Sequence, residues 1–185
     1  MNKKRESNRF QVPLMYAFRE AFEAGDSRKL VEERLGGERV VTSRASLARR
    51  GTDEVRLKRN LVIDLLALVN TVDLGSAVDL SDMEWVRQSV LNFGLPDITH
   101  LTSDEEGVDD IAKYLADALL QHEPRLDPDS LVVTRDEFFD DVEQRVRFRV
   151  SADMACRPAD VPIDFVAEID ISSGKVLLSR LPVTS

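Results

Sequence analysis

The spacing of hydrophobic positions changes along this chain, and each change marks an element. Between Phe10 and Phe22 large apolar residues recur every four positions, at Phe10, Leu14, Phe18 and Phe22. Pro13 suits the first turn of a short amphipathic helix there. Gly25-Asp26-Ser27 ends the pattern, and a second short helix is expected over Ser27–Leu35, closed by Gly36-Gly37. Thr42–Gly51 is polar and basic and reads as a linker.

From Thr52 the period becomes strongly helical. Thr52 or Asp53 can cap a helix whose apolar face carries Val55, Leu61, Val62, Leu65, Leu66 and Val69. Asn70-Thr71 and Leu74-Gly75-Ser76 give a loop. Asp79-Leu80-Ser81-Asp82 offers a cap for a short helix bearing Trp85, Val86 and Val90, with Trp85 on its core face, ending near Gly94-Leu95-Pro96-Asp97. An acidic loop, Ser103–Gly107, leads into a third core helix with Val108, Ile111, Leu115, Ala118 and Leu119, which must stop at Pro124.

After Pro128 the period drops to two. Leu131-Val132-Val133 is a short strand. Val146, Phe148, Val150, Ala152 and Met154 alternate with polar residues, as do Val161, Ile163, Phe165, Ala167, Ile169 and Ile171. Such alternation predicts antiparallel strands with one face on a core and one in water. The loop Cys156–Asp160 joins them, and Ser172-Ser173-Gly174-Lys175 turns into a last strand around Val176–Leu178. On the wet face Arg145, Arg147 and Arg149 can stand across from Asp164, Glu168 and Asp170 as a stabilising charge ladder. The order predicts an α+β fold: an N-terminal helical arm, then about three core helices packed on a four-stranded, mainly antiparallel sheet. The expected division is an arm and linker over residues 1–51 and one domain over 52–185.

Composition narrows the function classes. The 185 residues are 43% hydrophobic, enough for a core and too apolar for general disorder. No run reaches the roughly 18 apolar residues of a membrane span. The start, Met1-Asn2-Lys3-Lys4-Arg5-Glu6, has no apolar stretch after it, so no signal peptide is expected. Cys156 is the sole cysteine, which rules out an internal disulfide and points to the cytoplasm. Charge is unevenly placed: residues 1–50 hold 12 Lys/Arg against 7 Asp/Glu, the rest 13 against 27, a split of +5 and −14 within the net −9. An acidic body disfavours nucleic acid. The basic arm suits an acidic partner or its own body.

Metal, cofactor and nucleophile chemistry find little support. His100 and His122 have neither a cysteine partner nor His-x-x-x-His spacing, and no cofactor motif is present. Cys156 has no nearby histidine, and no Gly-x-Ser-x-Gly occurs. Glycoside hydrolysis needs only two carboxylates, and the 34 Asp/Glu supply too many candidates to discriminate.

One triplet stands out. Glu123-Pro124-Arg125 lies where the third core helix ends, and a glutamate is out of place there because a helix C-terminus favours cations. As a general acid Glu123 would need a raised pKa, whereas Arg125 two residues on is expected to lower it. As a binding device the turn is better suited: Pro124 stiffens it, and Glu123 with Arg125 can exchange charge-assisted hydrogen bonds with a partner. The alternative is an intramolecular ion pair that tidies the helix end.

Asn70-Thr71, the run Ser89-Val90-Leu91-Asn92-Phe93-Gly94-Leu95-Pro96-Asp97 and the Glu123-Pro124-Arg125-Leu126 junction resemble the TssE family of type VI secretion baseplate subunits. That family is similar to a wedge protein of contractile-tail phages with a "lysozyme-like" label. The resemblance covers about residues 52–180, and Val12-Pro13-Leu14-Met15 is similar to the short amphipathic segment at the family's N-terminus. It implies a cytoplasmic, non-enzymatic protein at the membrane-docked baseplate. Such a protein joins the wedge proteins TssF and TssG, with the TssK complex, to the first ring of the TssB/TssC sheath. It implies that Glu123, Pro124 and Arg125 contact the wedge, and that the small sheet offers edges to strands of neighbouring subunits. A peptidoglycan hydrolase is the alternative from another class, and a regulatory module with the arm as its specific element is a third.

Overall fold

The computed structural model describes residues 9–11, 13–23, 25, 34–35, 38–39, 51–100, 105–136 and 145–180. The chain divides into two compact units, one of Met1–Asn60 with Cys156–Asp160, the other of Leu61–Ala155 with Val161–Ser185.

In the first unit Phe10 and Thr52 form an antiparallel bridge, each N–H donating to the other's carbonyl at 2.9 Å. Helix α1, Leu14–Glu23, starts just after Pro13, whose carbonyl accepts from the Tyr16 N–H at 3.0 Å. Phe10, Tyr16 and Leu57 are buried, while Phe18 and Phe22 are 53% and 88% exposed. The expected Phe10–Leu14–Phe18–Phe22 stripe therefore does not hold. Phe10 sits in extended chain before the helix, so counting fours from it does not set the helix's inner face.

Arg34–Leu35 (β1) pairs antiparallel with Glu38–Arg39 (β2). This corrects the helix expected to run through Leu35. A Gly-Gly between two short runs also has the spacing of a two-residue hairpin link. Ser27–Glu33 and Thr42–Arg50 lie outside the described residues, as does Val12.

Helix α2, Glu54–Val69, begins in the first unit and continues into the second. Asp53 caps it, its Oδ1 accepting from the Arg56 N–H at 2.8 Å, which settles the choice left between Thr52 and Asp53. The buried stripe is Leu57, Leu61, Leu65 and Leu68, with Val69 beside it. Val55, Val62 and Leu66 fall outside that stripe and are exposed, so the face is narrower than the sequence suggested.

In the second unit α3 is a single turn, Glu84–Arg87, capped by Met83 without a side-chain bond. Helix α4 runs Glu105–His122 and buries Val108, Ile111, Leu115, Ala118 and Leu119 as the spacing predicted. Glu105–Gly107 already belongs to this helix and not to the expected loop.

The sheet is an antiparallel meander, β3 (Val132–Arg135), β4 (Arg145–Met154), β5 (Val161–Asp170) and β6 (Lys175–Arg180), in that spatial order. Every alternate residue of β4 from Val146 to Met154, and of β5 from Val161 to Ile169, is buried. The fold is the α+β arrangement the sequence predicted. Its charge ladder is shorter than expected. Arg145 and Arg147 both bind Glu168, at 3.1 and 2.8 Å, while Arg149 stands opposite Val166 and Asp164 opposite Ser151. Asp170 does stand opposite Arg145 as expected, and it also accepts from Ser172 and Ser173 in the turn, which lowers its pKa.

Candidate functional site around Glu123 and Arg125

The Glu123–Leu126 turn is fixed at both ends. The Glu123 N–H closes the last turn of α4 onto Leu119 O at 3.0 Å, and the next residue, Pro124, has no N–H to extend the ladder. Beyond it Arg125 O accepts from the Ala155 N–H at 2.7 Å, and Leu126 bridges Met154 at the end of β4. Leu126 is buried, so the turn is anchored by an apolar side chain as well as by its backbone.

That anchoring points the Glu123 side chain inward, where only 5% of the residue is exposed. Its Oε1 accepts from the Arg125 backbone N–H at 3.2 Å and from Arg125 Nε at 2.5 Å, and its Oε2 accepts from Arg125 Nη2. The same Nη2 donates to Asp64 Oδ2 on α2 at 2.8 Å. One guanidinium is thus divided between two carboxylates. Arg125 and Asp64 are half-buried and Pro124 is exposed, so the cluster has a buried floor and an accessible rim.

Burial pushes the Glu123 carboxyl up to about 7; the Arg125 N–H works against this, and the Asp64 carboxylate adds to it. The expectation that Arg125 would hold this carboxyl low is therefore overturned. Loss of water at Glu123 outweighs the hydrogen bond from the Arg125 backbone N–H.

The other motifs in the sequence converge around the same helix end. Phe93 lies edge-on against the His122 ring, with centroids 5.3 Å apart. Thr71 O accepts from the Leu95 N–H at 2.8 Å and Leu95 O from the Asp73 N–H at 2.9 Å, so the Asn70-Thr71 and Asn92–Leu95 segments form one unit. Gly94 makes this approach possible. Its φ is 138°, and a Cβ there would lie 2.3 Å from Thr71 O. Asn70 reaches the sheet: its carboxamide donates to Val176 O at 2.9 Å and accepts from Val176 N–H at 3.1 Å.

Sequence reasoning brought Glu123, Pro124 and Arg125 together but missed Asp64. An aspartate interrupting the apolar run Leu61–Val69 was the available signal. No group of three or more His, Cys, Asp or Glu side chains among the described residues is arranged to hold a metal. Cys156 is half-buried, and His100 is exposed. No described helix is long and apolar enough to cross a membrane.

A family model, baseplate wedge protein gp25, matches residues 55–159. The chain belongs to that family. The match takes in Asp64, Asn70, the Ser89–Asp97 run and the whole Glu123–Leu126 turn, and TssE is a member of the same family. No curated protein and no solved structure matches the chain. Membership in the baseplate wedge protein gp25 family gives the protein a structural role in the baseplate of a contractile machine.

Proposed function

We propose that this protein is the TssE-like subunit of a type VI secretion baseplate, joining the wedge to the first sheath ring and seeding sheath assembly. Its wedge partners are TssF and TssG, with the TssK complex, and its sheath partners are TssB and TssC. It works without catalysis in the cytoplasm, at the membrane-docked baseplate. Residues 52–185 form the wedge domain and residues 1–51 the arm. The observation that carries this reading is the family match across 55–159, which spans the Glu123–Arg125 turn.

In this reading Pro124 and the outer side of Arg125 make the wedge contact, and buried Glu123 fixes the guanidinium's direction. A rigid, partly exposed guanidinium suits recognition of a carboxylate or carbonyl on a partner. Co-purification with TssF and TssG tests it. Pro124→Asp leaves the ion pair beneath it untouched and should abolish co-purification, as should Arg125→Ala, with thermal melting to show that each variant folds. Normal assembly by a folded Pro124→Asp protein would overturn the assignment.

The raised Glu123 pKa is what a glycosidase general acid requires, and it favours a peptidoglycan hydrolase as the second reading. Against it, both Glu123 oxygens accept bonds from Arg125 inside the fold and the residue is buried, so little of the carboxyl faces a substrate oxygen. Digestion of purified peptidoglycan decides between them. Muropeptide release by the wild type that Glu123→Gln abolishes would establish the hydrolase.

A further inference from the structure

The most anomalous side chain in the described residues is Trp85, 88% exposed on a four-residue helix. An isolated exposed apolar residue means little, but Trp85 is not isolated. Val72, Val78, Met83, Val90 and Leu91, all from the same 20-residue segment, are also exposed, Val90 and Leu91 by 81% and 68%.

This segment is firmly built. Asn92, itself buried, accepts from the Gly75 N–H at 2.8 Å and donates to Arg87 O at 3.2 Å, tying the segment's two ends together. Gln121 of α4 donates to Arg87 O at 2.8 Å, and Ser76 Oγ accepts from the Asp97 N–H at 2.7 Å. The apolar side chains are therefore held out by satisfied polar groups. A rigid exposed tryptophan with aliphatic neighbours has the composition of an interface anchor.

The charges around it choose the partner. Residues 72–91 hold Asp73, Asp79, Asp82 and Glu84 against a single Arg87, and Arg87 is engaged with Glu84 at 2.5 Å. Asp73, Asp79 and Glu84 line an open cavity of about 550 Å³ beside the Trp85 turn, together with Leu80 and Tyr114; Arg87 also lines it, but as the partner of Glu84, so the lining stays acidic on balance. A cavity with an acidic lining beside exposed apolar anchors complements a segment carrying the opposite charge.

We propose that the Trp85 surface docks a segment of a partner protein in which apolar side chains are flanked by lysine or arginine. The apolar side chains cover Trp85, Val90 and Leu91, and the cations enter the cavity against Asp73 and Asp79. This does not rest on the role proposed for Glu123–Arg125, and the two surfaces can be tested separately.

Trp85 is the sole tryptophan, so its fluorescence in the full chain reports on the site directly. The probe is a synthetic amphipathic leucine–lysine peptide, with a leucine–glutamate peptide as control. The lysine peptide should shift Trp85 emission to the blue in a saturable way that high salt weakens, and the glutamate peptide should not. Asp73→Lys/Asp79→Lys should weaken the lysine peptide about tenfold or more while Asp127→Lys/Asp129→Lys, far along the chain, leaves it unchanged. Absence of a shift, an equal shift with the glutamate peptide, or equal loss in both double variants would overturn the proposal. So would a blue shift that appears on concentrating the protein alone, which would mark a second copy as the occupant.

Discussion

Arg125 and Asp64, 61 residues apart in sequence, are joined by a hydrogen bond of 2.8 Å that links the end of one core helix to the middle of another. The same guanidinium neutralises Glu123, which is far more buried than Asp64. The two carboxylates are therefore unequal partners.

Removing the cation should expose that inequality. Arg125→Ala leaves Glu123 buried without its partner and should cost about 3 kcal/mol in urea unfolding above the carboxyl's pKa of about 7, where it is ionised, and less below it. Asp64→Asn, at the wetter end, should cost less than about 1 kcal/mol. Equal losses from the two variants would contradict the geometry.

The Glu123 carboxyl also sets a pH dependence. Its folded pKa, about 7, lies above the ordinary glutamate value of 4.5, so between these values the folded state holds a proton that the unfolded state has released. Stability contributed by this group is therefore fully present below about pH 4.5, falls as pH rises through the window, and levels off above about 7. Glu123→Gln should flatten the slope in that interval. Identical pH profiles for wild type and variant would refute the assignment.

Gly94 should tolerate no side chain. At φ 138° with Thr71 O in the way, Gly94→Ala should lose about 3 kcal/mol or more by thermal melting. A near-native melting temperature would mean that the Thr71–Leu95 contact is not as close as described.

Asn70 should be worth two hydrogen bonds to the sheet. Asn70→Leu, close in size but unable to bond Val176, should cost about 1–2 kcal/mol. Amide exchange at Val176 should accelerate by more than at its neighbours on β5. Unchanged exchange there would show that the carboxamide does not protect the strand.

Much of the fold was legible because periodicity reports directly on burial. The alternation at Val146, Phe148, Val150, Ala152 and Met154 set the buried face of β4, and the spacing of Val108, Ile111, Leu115 and Leu119 set that of α4. Short elements gave no such purchase. At Trp85 a helix of one turn has too few residues to define a face, and apolar identity alone placed the side chain on the wrong side. At Phe18 and Phe22 the repeat was counted from a residue that is not in the helix.

The site was half legible for a related reason. Glu123 and Arg125 are neighbours in sequence, so their pairing was among the readings considered. The depth of Glu123 and the arrival of Asp64 depend on how α2 and α4 pack, which no local spacing encodes. Those two facts reversed the expected direction of the Glu123 pKa.

Asn70 has one more consequence. By occupying both outward backbone groups of Val176, its side chain acts as an end stop on the margin of β6 that no other described strand pairs with. Backbone groups alternate in direction along a strand, so the next outward positions are Leu178 and Arg180. Backbone hydrogen bonding along this margin of the described strand can therefore begin only past Val176, at those two positions. In one carboxamide the molecule thus withholds a rung of the ladder that its outermost described strand would otherwise present.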